Sequence, residues 1–589
     1  ITSPTGSGTA CPDSSPWLLQ HALDNAREGD TVILKNGVYG DTANNFGRFF
    51  IRNSAGTLSS PITLRAQNRH EAILRGSGLS SNDRTDIGLR ITRGGWVIED
   101  LLMQNYVIGM YITNVPSSNL EIRHNIITDY IEEGIVASAL GSARIHHNVI
   151  GLAKRYPLLG NIASMIHISS NSHNNIIESN FLYGAHQYHR PPGFEGARRY
   201  GILLTSDTDN NRIQGNVFLS MHNAAVRIYN SGLDVADQSS DNSINDNVVA
   251  FSGGGLTLSS YGLLNNRVEN NLLYGVRNNT LHAKGNFRPI GGGNHYTHNT
   301  MVMTRESVGD GMVLERGDNG HCSDATVVRD NIFYGIDENR GVGYPLLYDV
   351  CNWPLTIAES DHNLFWRPGN PSSWVANDIQ YGAHDIHSAG SAGRPQFVDE
   401  AGGDFSLVTG SPGKSAARNG VDDMGIHYTS FLRRSYLQNI LNLPLREEPV
   451  SGTSHSVSGL IPSRYYQVYV SVPEGGHSEV EQYTIEGFSH TIDIGSIGLE
   501  HNLSDQDPHR WAHLGVHPSS PSGTMAFSWQ HANAASRILL RALPTLSEAY
   551  DWILGGGGDA TGPTLSLSAS PSTITAGQSS TLTWSSSNV

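Results

Sequence analysis

An all-β solenoid is the fold class this sequence predicts, and three observations predict it. First, nine asparagines each lead into further residues of an apolar run: RHNII at Asn125, HHNVI at Asn148, SNFL at Asn180, GNVF at Asn216, DNVV at Asn247, NNLL at Asn271, HNTM at Asn299, DNIF at Asn331 and HNLF at Asn363. Second, the steps between them are 23, 32, 36, 31, 24, 28, 32 and 32 residues, so one unit repeats with insertions of variable length. Third, each unit alternates short apolar runs with glycine and asparagine, and none holds a helix-length apolar stripe. A coil of roughly two dozen residues made only of strands suggests a parallel β-helix, its coils about 4.8 Å apart. Stacked asparagine amides both donate and accept, so they can pass hydrogen bonds from coil to coil. The repeat is therefore scaffold and not active site.

The elements follow in order. Residues 1–30 contain WLLQHALDNAREG, a helix that caps the open end of the β core. Residues 31–425 carry the coils and close with PQFVDEAGGDFSLVTGSPGKSA (395–416), read as a strand pair. Residues 426–554 form an accessory β-rich region with flanking helices. Its helices are expected at SFLRRSYLQNILNL, stopped by Pro444, and over NAASRILLRAL and LSEAYDWIL, split by Pro544. Its strands include YYQVYVSV and HTIDIGSI. Residues 555–561 are a Gly-rich linker, and 562–589 are too short to bury a core alone.

Composition narrows the function. The chain has 589 residues with 54 acidic and 38 basic side chains, a formal charge of −16. A nucleic-acid binder should instead show a basic footprint. No apolar run is long enough for a membrane span. The cysteines Cys11, Cys322 and Cys351 are too few for a disulfide scaffold, and their spacing is not that of a zinc site. A Cys322–Cys351 bridge is left open.

The stretches GDTVILKNGVYGD (29–41), SSPITLRAQ (59–67), EAILRGSG (71–78) and GGWVIEDLLMQN (94–105) resemble the opening coils of right-handed parallel β-helix polysaccharide lyases. The chain is similar there to the alginate lyase and chondroitinase B group and to pectate lyases, over roughly residues 20–415. The lysine and arginine signature of the alginate lyase and chondroitinase B group is not recognisable. β-Helix glycoside hydrolases share the opening motifs. The segment TLSLSASPSTITAGQSSTLTWSSSNV resembles the first strands of a bacterial immunoglobulin-like domain. Together these resemblances imply a secreted, cell-surface or periplasmic bacterial enzyme acting on a polysaccharide.

The candidate site comes from the residues. Aligning GIVAS, MIHIS, GILLTS, AVRIYN, GLTLSS and GMVLERG places Ile135, Ile166, Ile202, Val226, Leu256 and Met312 inward. Val136, His167, Leu203, Arg227, Thr257 and Val313 then face outward, with Ser138, Ser169, Thr205, Tyr229, Ser259 and Glu315 as the next outward row. A one-residue slip would bury them. Long insertions at 151–163, 183–199 and 230–242 wall this face. They and their surroundings supply Lys154, Arg155, His186, Tyr188, His189, Arg190, Arg198, Arg199 and His222, a cationic, aromatic patch on an acidic protein.

Such a patch suits β-elimination of a uronide. Arg227 or Arg199 would neutralise the carboxylate, and His167 or His189 would take the C5 proton. Tyr229 or Tyr188 would protonate the leaving oxygen. The alternative is a glycoside hydrolase acting on an anionic, for example sulfated fucan-type, polymer through two carboxylates. Asp129, Glu132 and Glu133 with Glu195, Asp207, Asp209 or Glu315 are its candidates. A third reading is a glycan-binding adhesin or tailspike. No spacing demands a cofactor. A Ca2+ ion, if bound, has Asp207 and Asp209 as its candidates. The expected partner is an acidic polysaccharide, and the sequence leaves the oligomeric state open.

Overall fold

The computed structural model describes residues 2, 17–40, 48–53, 55–77, 86–117, 119–153, 162–184, 198–229, 239–259, 263–277, 281–284, 293–304, 307, 312–315, 326–335, 347–349, 357–367, 382–389, 393–473, 480–493, 509–530, 535, 537–554, 564–570 and 581–587. Three long sheets of 12, 13 and 11 strands stack in parallel along the chain, forming a parallel β-helix. One coil shows the pattern. Arg144–His146 lies in the first sheet, Val149–Gly151 in the second and Ile162–Ser169 in the third.

Among the described residues, the coil strands turn an apolar row inward. In the first sheet Ile98, Ile122, Ile145, Ile177, Ile213 and Ile244 stack in register with no exposure. Between the first and second sheets the backbone bends through the left-handed region just before each asparagine, at His124, His147, Ser179, Gly215, Asp246, Asn270, His298, Asp330 and His362. That bend buries the asparagine side chain. Asn125 Nδ2 donates to Asn148 Oδ1 at 3.1 Å, and the same bond links 148 to 180, 180 to 216 and onward to 363. The series ends on Asp385, whose carboxylate accepts from Asn363 at 3.2 Å and has no proton to pass on.

A second asparagine ladder runs through Asn175, Asn211, Asn242, Asn266 and Asn294, with amide bonds of 2.9–3.2 Å. It turns the chain from the third sheet into the first. Each member stands five residues before a member of the first ladder.

The two ends are closed differently. The helix Leu19–Asn25 buries Leu19, Ala22 and Leu23 on one side. From it Gln20 accepts from Phe50 N at 2.9 Å and donates to Phe50 O at 3.0 Å, standing in for a strand at the edge of the third sheet. Past the coils, Phe397–Asp399 pairs antiparallel with Asp404–Leu407.

The outer face of the second sheet is apolar as well as its inner face. Val149, Phe181, Val217, Val248 and Leu272 there are covered by Leu432, Tyr436, Leu437, Ile440, Leu543, Ala549, Tyr550 and Ile553. These come from the helices Arg434–Leu441 and Leu546–Leu554 and their flanks. Between the helices the chain forms two four-stranded antiparallel sheets. Gln467 donates to Phe251 O at 2.8 Å and Arg541 lies 3.2 Å over the Phe251 ring, which anchors these sheets on the coils.

The segment expected as helix at NAASRILLRAL is instead the strand Arg537–Ala542. It pairs on both sides, with Leu445–Pro449 and Tyr465–Pro473. A short apolar run buried on both faces has no period to tell strand from helix, and pairing decides it. At the end, Thr564–Ser570 and Thr581–Ser587 form one antiparallel pair. Among the described residues no helix is long and apolar enough to cross a membrane.

Candidate functional site

The register of the third sheet follows the expected inward row, with Ile135, Ile166, Ile202, Val226 and Leu256 in direct succession. One rung was missing from the expectation. Leu281–Lys284 lies between Leu256 and Met312, so His282 takes a place in the row of His167 and Arg227, and Lys284 in the row of Thr205 and Tyr229.

His167 is held at both ring nitrogens. Its Nδ1 is 2.9 Å from Glu133 Oε1, and its Nε2 is 2.9 Å from Thr205 Oγ1. A carboxylate accepts, so Nδ1 carries the proton and Nε2 accepts the Thr205 hydroxyl. Glu133 is buried while the His167 side chain keeps 21 % of its surface exposed. The imidazole is thus oriented from behind and open in front.

The second rung beyond His167 supplies the cation. Thr205 pairs with Tyr229, and Leu203 with Arg227. The Arg227 guanidinium lies 4.4 Å from the Tyr229 ring centre and 5.1 Å from that of Tyr200, and it donates to the Tyr200 hydroxyl. Two aromatic faces hold a planar cation in place and partly dehydrate it, which strengthens its pull on an anion. His167 and Arg227 are two rungs apart in one row, about 10 Å at the spacing of paired strands. Glu133, His167, Thr205, Tyr229, Arg227 and Tyr200 therefore form one continuous stripe. Tyr200 was not foreseen. Alternation counted back from inward Ile202 would turn it inward too, yet it packs with the outward Leu203 and Tyr229.

Arg199 does not belong to a loop. It sits in the strand Arg198–Thr205, keeps 2 % of its surface, and donates to Ile131 O at 2.5 Å. Ala163 occupies the rung in front of it, and its short side chain leaves Arg199 room to reach across the sheet. Paired arginines usually mark a solvated loop, and here strand pairing carries one of them inside. Arg199 and Glu133 both act on buried Tyr130, whose hydroxyl burial pushes well above the ordinary range. Glu132 is also buried in this corner. Asp129, expected at the groove edge, instead acts on Tyr183 and Tyr465 on the side of the C-terminal sheets. A left-handed backbone at Asp129 turns the chain there.

His222 is half-buried in the turn before the strand Ala224–Tyr229. Glu315 ends the strand Met312–Glu315, three rungs beyond Tyr229, and its side chain lies outside the described residues, as does that of Arg198. Lys154, Arg155, His186, Tyr188, His189, Arg190 and Glu195 lie outside the described residues, and so do Cys11, Cys322 and Cys351.

Asp207 and Asp209 meet His173, with ligand atoms within 4.8 Å of one another. Calcium prefers a shell of six or more oxygens. This group offers a nitrogen, and the Asp209 carboxylate already accepts from Ser240 N at 2.6 Å. The donor set does not fit calcium well.

No protein-family model matches the chain. No curated protein matches it in sequence. Solved structures do resemble it. An alginate lyase from Paenibacillus sp. is 18 % identical with a TM-score of 0.33, over 47 % of this chain and 94 % of that one. A PL6 alginate lyase in complex with a trisaccharide is 12 % identical with a TM-score of 0.42, over 72 % and 93 %. A pectate lyase is 15 % identical with a TM-score of 0.37, over 72 % and 94 %.

Proposed function

We propose that the outer face of the third sheet binds an acidic polysaccharide and cleaves it by β-elimination. The observation that carries this reading is the juxtaposition of an oriented imidazole with an aromatic-clamped guanidinium on one stripe. Arg227 would pair with the uronate carboxylate and stabilise the charge that builds as the C5 proton leaves. His167 Nε2 would take that proton in place of the Thr205 hydroxyl, and Glu133 would stabilise the imidazolium. The C4–C5 double bond forms as the C4–O4 bond breaks, and Tyr229 would give its proton to the departing O4. Exchange with water would then return the proton from His167 to Tyr229. Such a polymer is met outside the cytoplasm, so export belongs to the same proposal.

Hydrolysis is less well served. A glycosidase needs two carboxylates about 5–9.5 Å apart. Glu133 is engaged by His167, and Glu315 lies six rungs away, about 29 Å at strand spacing.

The test is a screen of alginate, pectate, glycosaminoglycan and sulfated fucan. Ultraviolet absorbance of unsaturated uronides is recorded beside reducing ends. Both should rise together on a uronate polymer. Reducing ends without absorbance would mean hydrolysis, and binding without either product would mean an adhesin.

A further inference from the structure

We propose that Asp361, His362 and His384 form a structural site for a zinc-class divalent ion at the last coils of the β-helix. The site is remote from the stripe on the third sheet and does not depend on the proposed activity. Asp361 ends the strand Ile357–Asp361, and His384 precedes the strand Ile386–Ala389. Stacking of successive coils brings the two imidazoles face to face, 4.5 Å apart and 10° from parallel. One ligand atom from each of the three residues lies within 4.8 Å of the others.

The hydrogen bonds set which atoms are available. Asp361 Oδ1 accepts from His362 N at 3.0 Å and from His384 N at 2.8 Å, which fixes the carboxylate. Its Oδ2 points at His384 Nδ1, 2.8 Å away, and at His362 Nε2, 3.8 Å away. His362 Nδ1 is 3.0 Å from Ala416 O. A carbonyl only accepts, so Nδ1 carries a proton and Nε2 is the ring atom that faces the carboxylate, where it can offer its lone pair to an ion. An ion seated between Nε2 and Oδ2 would be bound by both. An N–H donated to a backbone carbonyl from the far side is also the usual support of a metal-ligating histidine.

Two donors each about 2.1 Å from a shared ion stand between about 3 and 4 Å apart; the 3.8 Å pair lies in that range, and the 2.8 Å hydrogen-bonded pair would open by a few tenths of an ångström. His384 Nδ1 would release its proton to solvent as the ion took its place. Two nitrogens and one carboxylate oxygen favour zinc and its neighbours over calcium or magnesium. The other mixed group differs on this point. His173 Nδ1 already accepts the Asp209 backbone N–H at 3.3 Å, so its lone pair is occupied. An ion on Asp361, His362 and His384 would tie two consecutive coils together and, through Ala416, fasten the segment that follows them. Its role would be to hold the end of the solenoid closed.

The full chain, stripped with chelator, is titrated with Zn2+ by calorimetry and by thermal melting. One equivalent should bind with proton release and raise the melting midpoint. Asp361→Asn keeps an oxygen for the two backbone N–H groups and loses the ligating one. His384→Ala removes a ligand whose side chain is 64 % exposed. Each should weaken binding at least tenfold and abolish the melting shift, while His173→Ala should leave both unchanged. Absence of a stoichiometric Zn2+ site in the wild type would overturn the proposal. So would undiminished binding in Asp361→Asn and His384→Ala together.

Discussion

The outer faces of the second and third sheets are built by the same coils and serve opposite ends. On the second sheet the outward residues are Val149, Phe181, Val217 and Val248, sealed beneath Tyr436, Ile440 and Ile553. On the third they are His167, Thr205, Arg227 and Tyr229, linked by polar and cation–π contacts. Coil spacing and the inward rows are shared, so neither accounts for the difference. A solenoid separates structure from chemistry by face, and an outward row that breaks the apolar rule is the place to look for function.

The largest effect expected from breaking that contrast is on the imidazole. His167→Ala should lower turnover about 10²–10⁴-fold on whichever polymer the wild type cleaves, followed by product absorbance. Arg227→Ala should cost about 10²–10³-fold, and Arg227→Lys should recover only part, since a point charge cannot match a carboxylate with two parallel bonds. Because Arg227 is nearly buried, melting curves must accompany the rates. Full activity in Arg227→Ala would remove the stripe from consideration.

The structural side is tested through the ladder. Asn216 accepts from Asn180 and donates to Asn247 with no exposure, so Asn216→Ala leaves buried groups unpaired above and below. A loss of about 2–6 kcal/mol is expected in denaturant unfolding, from about 1–3 kcal/mol for each of the two unpaired groups. An unchanged midpoint would show that the ladder is not a stabilising element.

The smallest effect concerns the covered second face. His124 Nδ1 meets Tyr550 OH at 3.0 Å where the last helix docks, and His70 and His147 lie alongside. Burial lowers all three, His124 to about 4 and His147 to about 3, with Arg69, Arg123, Arg144, Arg433 and His146 adding to the effect and Asp100 opposing it. The folded values lie below the unfolded one, so the unfolded chain binds more protons as pH falls. Their contribution is complete above about pH 6.5 and is lost as pH falls towards 4. Hydrogen exchange should show residues 546–554 opening in that window while the ladder stays protected. Equal protection of the helix at pH 7 and pH 4.5 would refute this.

Much of this was legible in the sequence. Inward alternation fixed the partners of Ile135, Ile166, Ile202 and Val226, because a one-residue slip would expose the core. The second ladder was legible too, as an asparagine five residues ahead of another, but those residues sit among serine, aspartate, glycine and asparagine that read as ordinary turns. The rung at Leu281–Lys284 was lost because LHAK offers only two apolar positions. Arg199 and the Glu133–His167 bond were out of reach, since burial of a charge depends on neighbours one and two coils away.

The central claim is that the outer face of the third sheet is the working face. The measurement that tests it most directly is the structure of His167→Ala with a uronate oligosaccharide bound. The account predicts the sugar along the stripe, with one carboxylate hydrogen-bonded to Arg227 and Tyr229 beside the neighbouring O4. An oligosaccharide bound on another face, with Arg227 untouched, would contradict it.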